Sequence, residues 1–525
     1  MNITVFHFIG ILITLILVAA VGIYSGSKVK NASDFTNGGG KSGSLMVCGV
    51  LMGGLISGQA TIGTAQLAFS FGMSAWWFTL GIGIGCLILT LFYVIPLRSS
   101  SHVTLLQVIS DEYGESAEYL GSVLSSVGIF ISIIAQVIAA SALLTSITPL
   151  SLPQSALFSI LLMSVYVIFG GAWGAGMGGI LKMLLMYLSC VIGFVSVMYL
   201  SGGFSGLTSS LNSVMTQTSL SGLYNTVSDT AVSKRFFNMI ARGPFHDLGS
   251  CLSLIFGVLS TQTYAQAIWS AKNNKAAKKG ALLTAVLTPP IGIACTFIGL
   301  FMRTHYITTA ELTSLQASNL AIPEGLKELS SSSQVFPAFV IDYMPSLIGG
   351  FILGALLLAV IGGGAGLSLG VATILVKDIL NKFIHYKDPD AVREVITTRI
   401  TILFVLILAA LMAIILPGTF INDFGFLSMG LRGTVVLIPL TCALFLKGKI
   451  HRHAILVSMI LGPAAVLAGR FLPLPFDSLF LGIAVCLICC MAGRKKKPLC
   501  ISTTASFSIT TILFFRFLRI NLHPY

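Results

Sequence analysis

Acidic residues are scarce in this chain. Its 525 residues include 17 Asp and Glu against 30 Lys and Arg, and charged residues make up only 9%. Ordinary soluble domains carry about 25%, so a conventional water-facing surface is excluded. Cysteine is thinly spread as well. The ten cysteines sit singly in apolar runs, and only Cys489 and Cys490 are adjacent. That excludes a disulfide framework or a spaced metal-binding set and leaves small apolar fillers. Neither HExxH nor a phosphate-cradling GxxxxGK[ST] occurs. His246-Asp247 has no nucleophile paired with it in sequence and reads as a solvated loop end, not a catalytic dyad.

What the chain has in abundance is oil. It is 55% hydrophobic, with a mean hydropathy of +0.95. Counting apolar stretches of spanning length gives about 13 transmembrane helices, an all-α membrane protein. They fall near Ile9–Tyr24, Leu45–Phe71, Ala75–Val94, Leu120–Leu144, Ser155–Phe169, Gly176–Leu200 and Leu248–Trp269. The rest fall near Leu282–Phe301, Leu347–Val376, Ile400–Leu416, Phe424–Leu446, Ile455–Ala468 and Leu479–Ala492. The first stretch has an uncharged lead and no clear cleavage site, so it reads as a span and not a signal peptide. The tail Ile501–Phe517 fits a further span, an interfacial helix or a frayed extension.

If the spans alternate, the lysines and arginines collect on one side. Lys28, Lys30, Lys41, Arg98, Lys272–Lys279, Lys377–Arg399, Lys447–Arg452 and Arg494–Lys497 share it, and the opposite loops hold few. This is the positive-inside pattern, with the N-terminus outside and basic loops in the cytoplasm, as in a plasma-membrane protein. It accounts for the net charge of +13 without nucleic acid.

Two spans are interrupted. The second contains Gly49, Gly53, Gly54, Gly58 and Gly63, and the seventh has Gly257 before Ser260-Thr261-Gln262-Thr263. Broken spans five positions apart are the sign of an inverted repeat, whose unwound backbone offers carbonyls and amides near the midplane. The sixth span carries a lone cation, Lys182, inside Ile180–Tyr187. An ammonium in hydrocarbon is costly and marks a functional site unless it snorkels to the interface.

Several stretches resemble the sodium:solute symporters, the family of proline, pantothenate, sialic acid and sodium–glucose carriers. They include Lys30–Phe35, Ala68–Trp77, Pro96-Leu97-Arg98 with Val103-Thr104-Leu105 and Glu112-Tyr113-Gly114, Ala135-Gln136-Val137, and Tyr166 before Gly170-Gly171. The most specific is Gln262–Gln266 followed by Ala271-Lys272 and Lys275–Ala281. The resemblance implies a LeuT-like core of two inverted five-helix repeats, about 44–202 and 246–446, in a transporter domain over 1–498, with 499–525 as a tail. It implies secondary active import of a small polar organic solute by alternating access, with no enzymatic activity and no cofactor.

The resemblance also implies a sodium site, and here the chain departs from it. Family carbonyl positions fall at Gly53, Ile56 and Ala359. The two family hydroxyl positions are Gly362 and Gly363, a family acid is Gly179, and a proline-carrier aspartate is Leu55. Sodium coupling is therefore in doubt. The expectation is that Lys182 substitutes for the ion, giving proton-coupled or uncoupled uptake, because burial destabilises a charged amine. Gln59, Gln66, Gln136, Gln262 and Tyr264 are candidate solute contacts. Arg432 either anchors a solute carboxylate or pairs with Asp423 at its own helix's outer end. Two intramembrane cations favour an amino acid or small carboxylate as solute. A transporter-like sensor working through a separate partner is the rival reading.

Overall fold

The computed structural model describes residues 3–26, 40–100, 102, 104–224, 231–380, 391–416 and 419–495. The motif Lys30–Phe35 and the tail after 495 lie outside them. Described residues form an almost entirely helical bundle. Eight helices are long and apolar enough to cross a membrane, or nine counting one bent pair, beside four shorter apolar helices. Length and composition alone thus do not return the expected thirteen.

Helix α1 (Val5–Gly26) leads to α2 (Ser44–Leu55). After a non-helical step at Ile56, the chain resumes through a wide turn, Gln59–Gly63, into α3 (Thr64–Phe71). Helix α4 (Trp77–Ile88) continues through Leu89–Tyr93 into α5 (Val94–Ser99). The turn before α4 needs Gly72, whose φ is +65° and whose added β-carbon would overlap the Phe236 carbonyl; a side chain is disfavoured there. Then come α6 (Leu105–Tyr113), α7 (Glu115–Ile147) and α8 (Leu152–Leu200). Helix α6 starts at a capping box in which Thr104 and Gln107 each hold the other's amide, satisfying free N–H groups.

Helix α8 runs unbroken for 49 residues. Straight, it would be about 73 Å long, more than twice the hydrocarbon thickness. Its apolar segments are Leu152–Val167 and Met177–Leu200, matching the two spans expected there.

The second half also contains a broken helix. Helices α9 (Pro244–Ser260) and α10 (Gln262–Trp269) are bent by 49° at Thr261. They are followed by α11 (Asn274–Arg303), α12 (Ser346–Ile374), α13 (Ala391–Ile415), α14 (Ile421–Arg432) and α15 (Ile438–Phe445). Helices α16 (Arg452–Arg470) and α17 (Ser478–Ala492) pair with each other. Between α11 and α12, a two-stranded parallel sheet joins β1 (Tyr306–Thr308) to β2 (Lys327–Leu329), with Tyr306 opposite Lys327.

The lipid face and the core are visible in α8. Leu184, Leu188, Val191 and Val195 are exposed at helical spacing, whereas Met183, Met186 and Cys190 are buried. An apolar outward face is what a bilayer requires. Helix α2 packs on α8 and α11, and α12 packs on α1, α7 and α8. The first break is therefore enclosed by α7, α8 and α12, deep in the protein.

The loops rich in basic residues meet at one end. Arg98 donates to the carbonyls of Ile268 and Ala271 and to Asn274 Oδ1. Arg452 donates to Ser116, and the Gly448 amide donates to Glu112. At the opposite end, Arg242 contacts the buried Asp247 at 2.8 Å and lies 3.9 Å from the half-exposed Asp423. Arg303 pairs with Glu311 at 3.0 Å in the same region.

Candidate functional site

Helix α2 stops at two consecutive glycines and Leu55, and Ile56 takes an extended conformation (φ −81°, ψ 93°). Glycine is a poor helix former, and ending a helix inside a membrane leaves amides and carbonyls to be satisfied by side chains. Two side chains do so. Gln136 Oε1 of α7 accepts from the Gly58 amide at 3.0 Å. Lys182 Nζ of α8 donates to the Gly53 carbonyl at 2.7 Å and to the Ala359 carbonyl of α12 at 2.9 Å.

Lys182 is only 2% exposed. It points inward, away from the lipid face of its helix, so the snorkelling alternative fails. Its ammonium joins two of the three expected carbonyl positions; the recorded Lys182 bonds do not include Ile56.

The two hydroxyl positions differ in what they leave. A β-carbon at Gly362 would lie 3.5 Å from Lys182 Nζ and 3.6 Å from the Tyr166 hydroxyl. At Gly363 it would meet Ser57 Cβ at 2.7 Å, too close without movement. Gly179, in the family's acidic position, abuts the Gly49 carbonyl. Close approach of α8 to α2 leaves no room for an aspartate there. The close approach at Gly179 and the reach of Lys182 to the Gly53 carbonyl thus belong to one packing arrangement.

The second break is held in a parallel way. Thr261 is extended (φ −92°, ψ 122°), and its hydroxyl donates to the Gly257 carbonyl at 2.5 Å. Arg432 of α14 donates from Nη1 to Thr261 Oγ1 at 2.7 Å and from Nε to the Ser428 carbonyl at 3.2 Å. Arg432 is therefore not paired with Asp423, which instead lies beside Arg242, with its backbone carbonyl accepting from Arg470. Each break receives one cation, from α8 and from α14.

Between the breaks is a small cavity, about 10 Å³ measured as room for water centres, lined by Gly54, Leu55, Ser57, Gln59, Phe78, Ser132, Gln136, Tyr264, Leu367, Met429 and Arg432. Four of the expected solute contacts, Gln59, Gln136, Tyr264 and Arg432, meet there. Two do not. Gln66 accepts from the Ile421 amide at 3.0 Å and donates to Ser332, tying α3 to the start of α14. Gln262 accepts from the Leu105 amide at 2.9 Å, near the basic end. Both are interhelical ties on either side of the cavity.

Phe78, Leu367 and Met429 had no signal in the sequence, since such residues fill every span. Ser57 and Ser132 were equally hidden among many membrane hydroxyls. Arg303, fully buried against Glu311 and 4.4 Å from the Phe69 ring centre, was readable only as one of the few basic residues at its end.

Gly366-Leu367-Ser368-Leu369-Gly370 spells a hydrolase-like G-x-S-x-G. It lies within helix α12, however, and Ser368 Oγ donates to the Ala365 carbonyl at 2.9 Å. The pattern carries its chemistry only on a strand-to-helix elbow. Among the described residues, no group of three or more His, Cys, Asp or Glu side chains could hold a metal.

Known proteins share this architecture. The structure superposes on a Na+-coupled sialic acid symporter in a substrate-bound outward-open state, with a TM-score of 0.69 at 18% identity over 94% of this chain and 99% of that one. That likeness establishes the fold, an all-α membrane bundle of the same architecture. The symporter YwcA of Bacillus subtilis (strain 168) is 23% identical over 421 residues, 79% of this chain and 75% of its own. The human high affinity choline transporter 1 is 23% identical over 452 residues, 84% of this chain and 73% of its own. The pattern of the sodium:solute symporter family itself matches residues 35–462. With the broken helices, the bundle and that match in agreement, the chain belongs to the sodium:solute symporter family.

Proposed function

We propose that this protein is a sodium-independent secondary transporter that imports a small polar organic solute, with Lys182 occupying the place of the family's metal ion. The observation that carries this reading is the ammonium bridging the Gly53 and Ala359 carbonyls. An ion there and this amine would compete for the same oxygens. Gly362 and Gly363 supply no hydroxyls to complete a metal shell.

The energetics favour a group that can give up its charge. Burying an ion costs several kcal/mol. Hydrogen bonds to a charged group return roughly 1.5–3 kcal/mol each. Two such bonds offset only part of the penalty. A proton then replaces sodium as the coupling ion, or the solute moves uncoupled.

The repeats span about 44–202 and 246–446, inside a transporter domain over 1–498. The basic end faces the cytoplasm of a plasma-membrane protein, and the N-terminus faces outward. Opening at the opposite end requires α9 and α14 to part at Arg242; opening at the basic end requires Gln262 to leave Leu105.

Uptake by reconstituted vesicles, with sodium or with choline in its place, tests the reading. Accumulation is expected to be equal in the two buffers and to respond to an imposed proton gradient if protons couple. Strict sodium dependence would overturn it, and absence of any accumulation would favour a receptor.

A further inference from the structure

The cavity between the breaks has a one-sided hydrogen-bonding character. Arg432 Nη2, Gln136 Nε2 and Gln59 Nε2 are buried and have no partner among the described residues. All three residues line the same cavity. The Gln136 amide is not free to be turned over, because its oxygen is already held by the Gly58 amide; its nitrogen must face the space. Arg432 can only donate. It has spent Nη1 on Thr261 and Nε on Ser428, leaving Nη2 as its one open prong.

Orphaned buried donors in a native structure call for an explanation. The lining contains no Asp or Glu. Arg432 is fully buried, and its recorded bonds go to a hydroxyl and a carbonyl, not to a carboxylate. The lining carries no carboxylate, and three of its buried donors are unmet.

We infer that the transported solute is a small carboxylate without an ammonium group, its carboxylate accepting from Arg432 Nη2 and from the Gln136 amide. This rests on the carrier reading above. The anion supplies the missing countercharge, and two donors from different helices match its two oxygens. Leu55, Phe78, Leu367 and Met429 give the rest of the solute a short apolar surface. An amino acid fits poorly, because its ammonium would enter a cavity with two nearby cations and no acid. A quaternary ammonium solute, as the name of the choline relative indicates for that protein, meets the same objection.

Competition in reconstituted vesicles and thermal shift of the purified protein test this with named probes: acetate, lactate and pyruvate, against alanine, choline and glucose. The carboxylates are expected to raise the melting temperature, and at least one is expected to be accumulated. Arg432→Gln is expected to raise the half-saturating carboxylate concentration about tenfold or more by losing a charge-assisted bond. Arg432→Lys, which keeps the charge, is expected to recover part of that loss. Preference for alanine, choline or glucose with no carboxylate competition would overturn the inference while leaving the carrier reading intact. Carboxylate stabilisation without accumulation would sink the carrier reading and leave the carboxylate as a bound ligand of the same donors. If Arg432→Gln does not fold, the wild-type competition profile still decides.

Discussion

Gly362 stands directly opposite Lys182: a β-carbon on the glycine would come within 3.5 Å of the lysine's ammonium nitrogen. That is an ordinary contact distance, so a small side chain fits beside the amine. Gly362→Ser is therefore expected to fold and to offer the amine a hydroxyl. Gly363→Ser is expected to be clearly destabilised by its 2.7 Å encounter with Ser57, since overpacking costs about 1–3 kcal/mol. Melting temperatures of the two purified variants, measured side by side, check the contrast; equal losses would contradict it.

Removing the amine should expose what it replaces. Lys182→Ala removes the side-chain donor from the Gly53 and Ala359 carbonyls, at a cost of about 1–3 kcal/mol for the Gly53 carbonyl stranded in the last turn of α2. Transport in choline buffer is expected to be lost. Sodium is expected to raise the melting temperature of this variant but not that of the wild type. An identical sodium response in both would mean that the amine and the metal never shared the site.

The pair at the opposite end divides into a strong half and a weak half. Asp247 is fully buried, with Arg242 and Ser74 as partners, and breaking a buried pair costs about 3–5 kcal/mol. Asp423 is 43% exposed and 3.9 Å from Arg242, an arrangement worth less than about 1 kcal/mol. Asp247→Asn should lower thermal stability markedly, and Asp423→Asn should barely change it. A larger loss from Asp423→Asn would reverse the assignment.

Acid should loosen the loop that follows α11. Burial alone would raise the Glu311 pKa, but the Arg303 charge and hydrogen bonds from Arg303 and Thr308 outweigh it and leave the carboxyl below its ordinary value. A carboxyl lowered on folding adds stability above its unfolded pKa. That stability is lost as pH falls through the folded value. The wild type is thus expected to lose stability from below about pH 4.5, and Glu311→Gln should be less stable at neutral pH but flatter in acid. Melting curves across pH would show parallel profiles if Glu311 had no such role.

The two glutamines outside the cavity should behave unlike the two inside. Gln66→Leu removes a tie between α3 and α14, so it should change the maximal rate and leave solute preference alone. Gln136→Leu removes both a cavity donor and the support of Gly58, so it should raise the half-saturating concentration. Competition profiles that shift equally in both variants would show that Gln66 also contacts solute.

The sequence was most informative where chemistry and hydropathy conflict. Lys182 stood out because an ammonium has little reason to sit in an oily run, and its two carbonyl partners were among the positions that the family resemblance implied. Arg432 stood out for the same reason, but its partner did not. Asp423 was near in sequence, whereas Thr261 is brought near only by the packing of α14 on α9. Gln66 and Gln262 had the right chemistry for a solute site, and depth along the bundle, which composition does not encode, placed them elsewhere. The apolar lining from Phe78, Leu367 and Met429 was unreadable because nothing marks one membrane hydrophobe from another.

The bend at Thr261 and the gap after Leu55 are both fastened by parts of the polypeptide. A dissolved metal clamp departs into the cell with each turnover and must be recaptured before the next. A covalently tethered clamp stays behind through loading, delivery and reset. Under the proposed reading, the empty carrier therefore returns without waiting for a second passenger, and exchange of internal for external solute should proceed at comparable speed whatever alkali metal bathes either face.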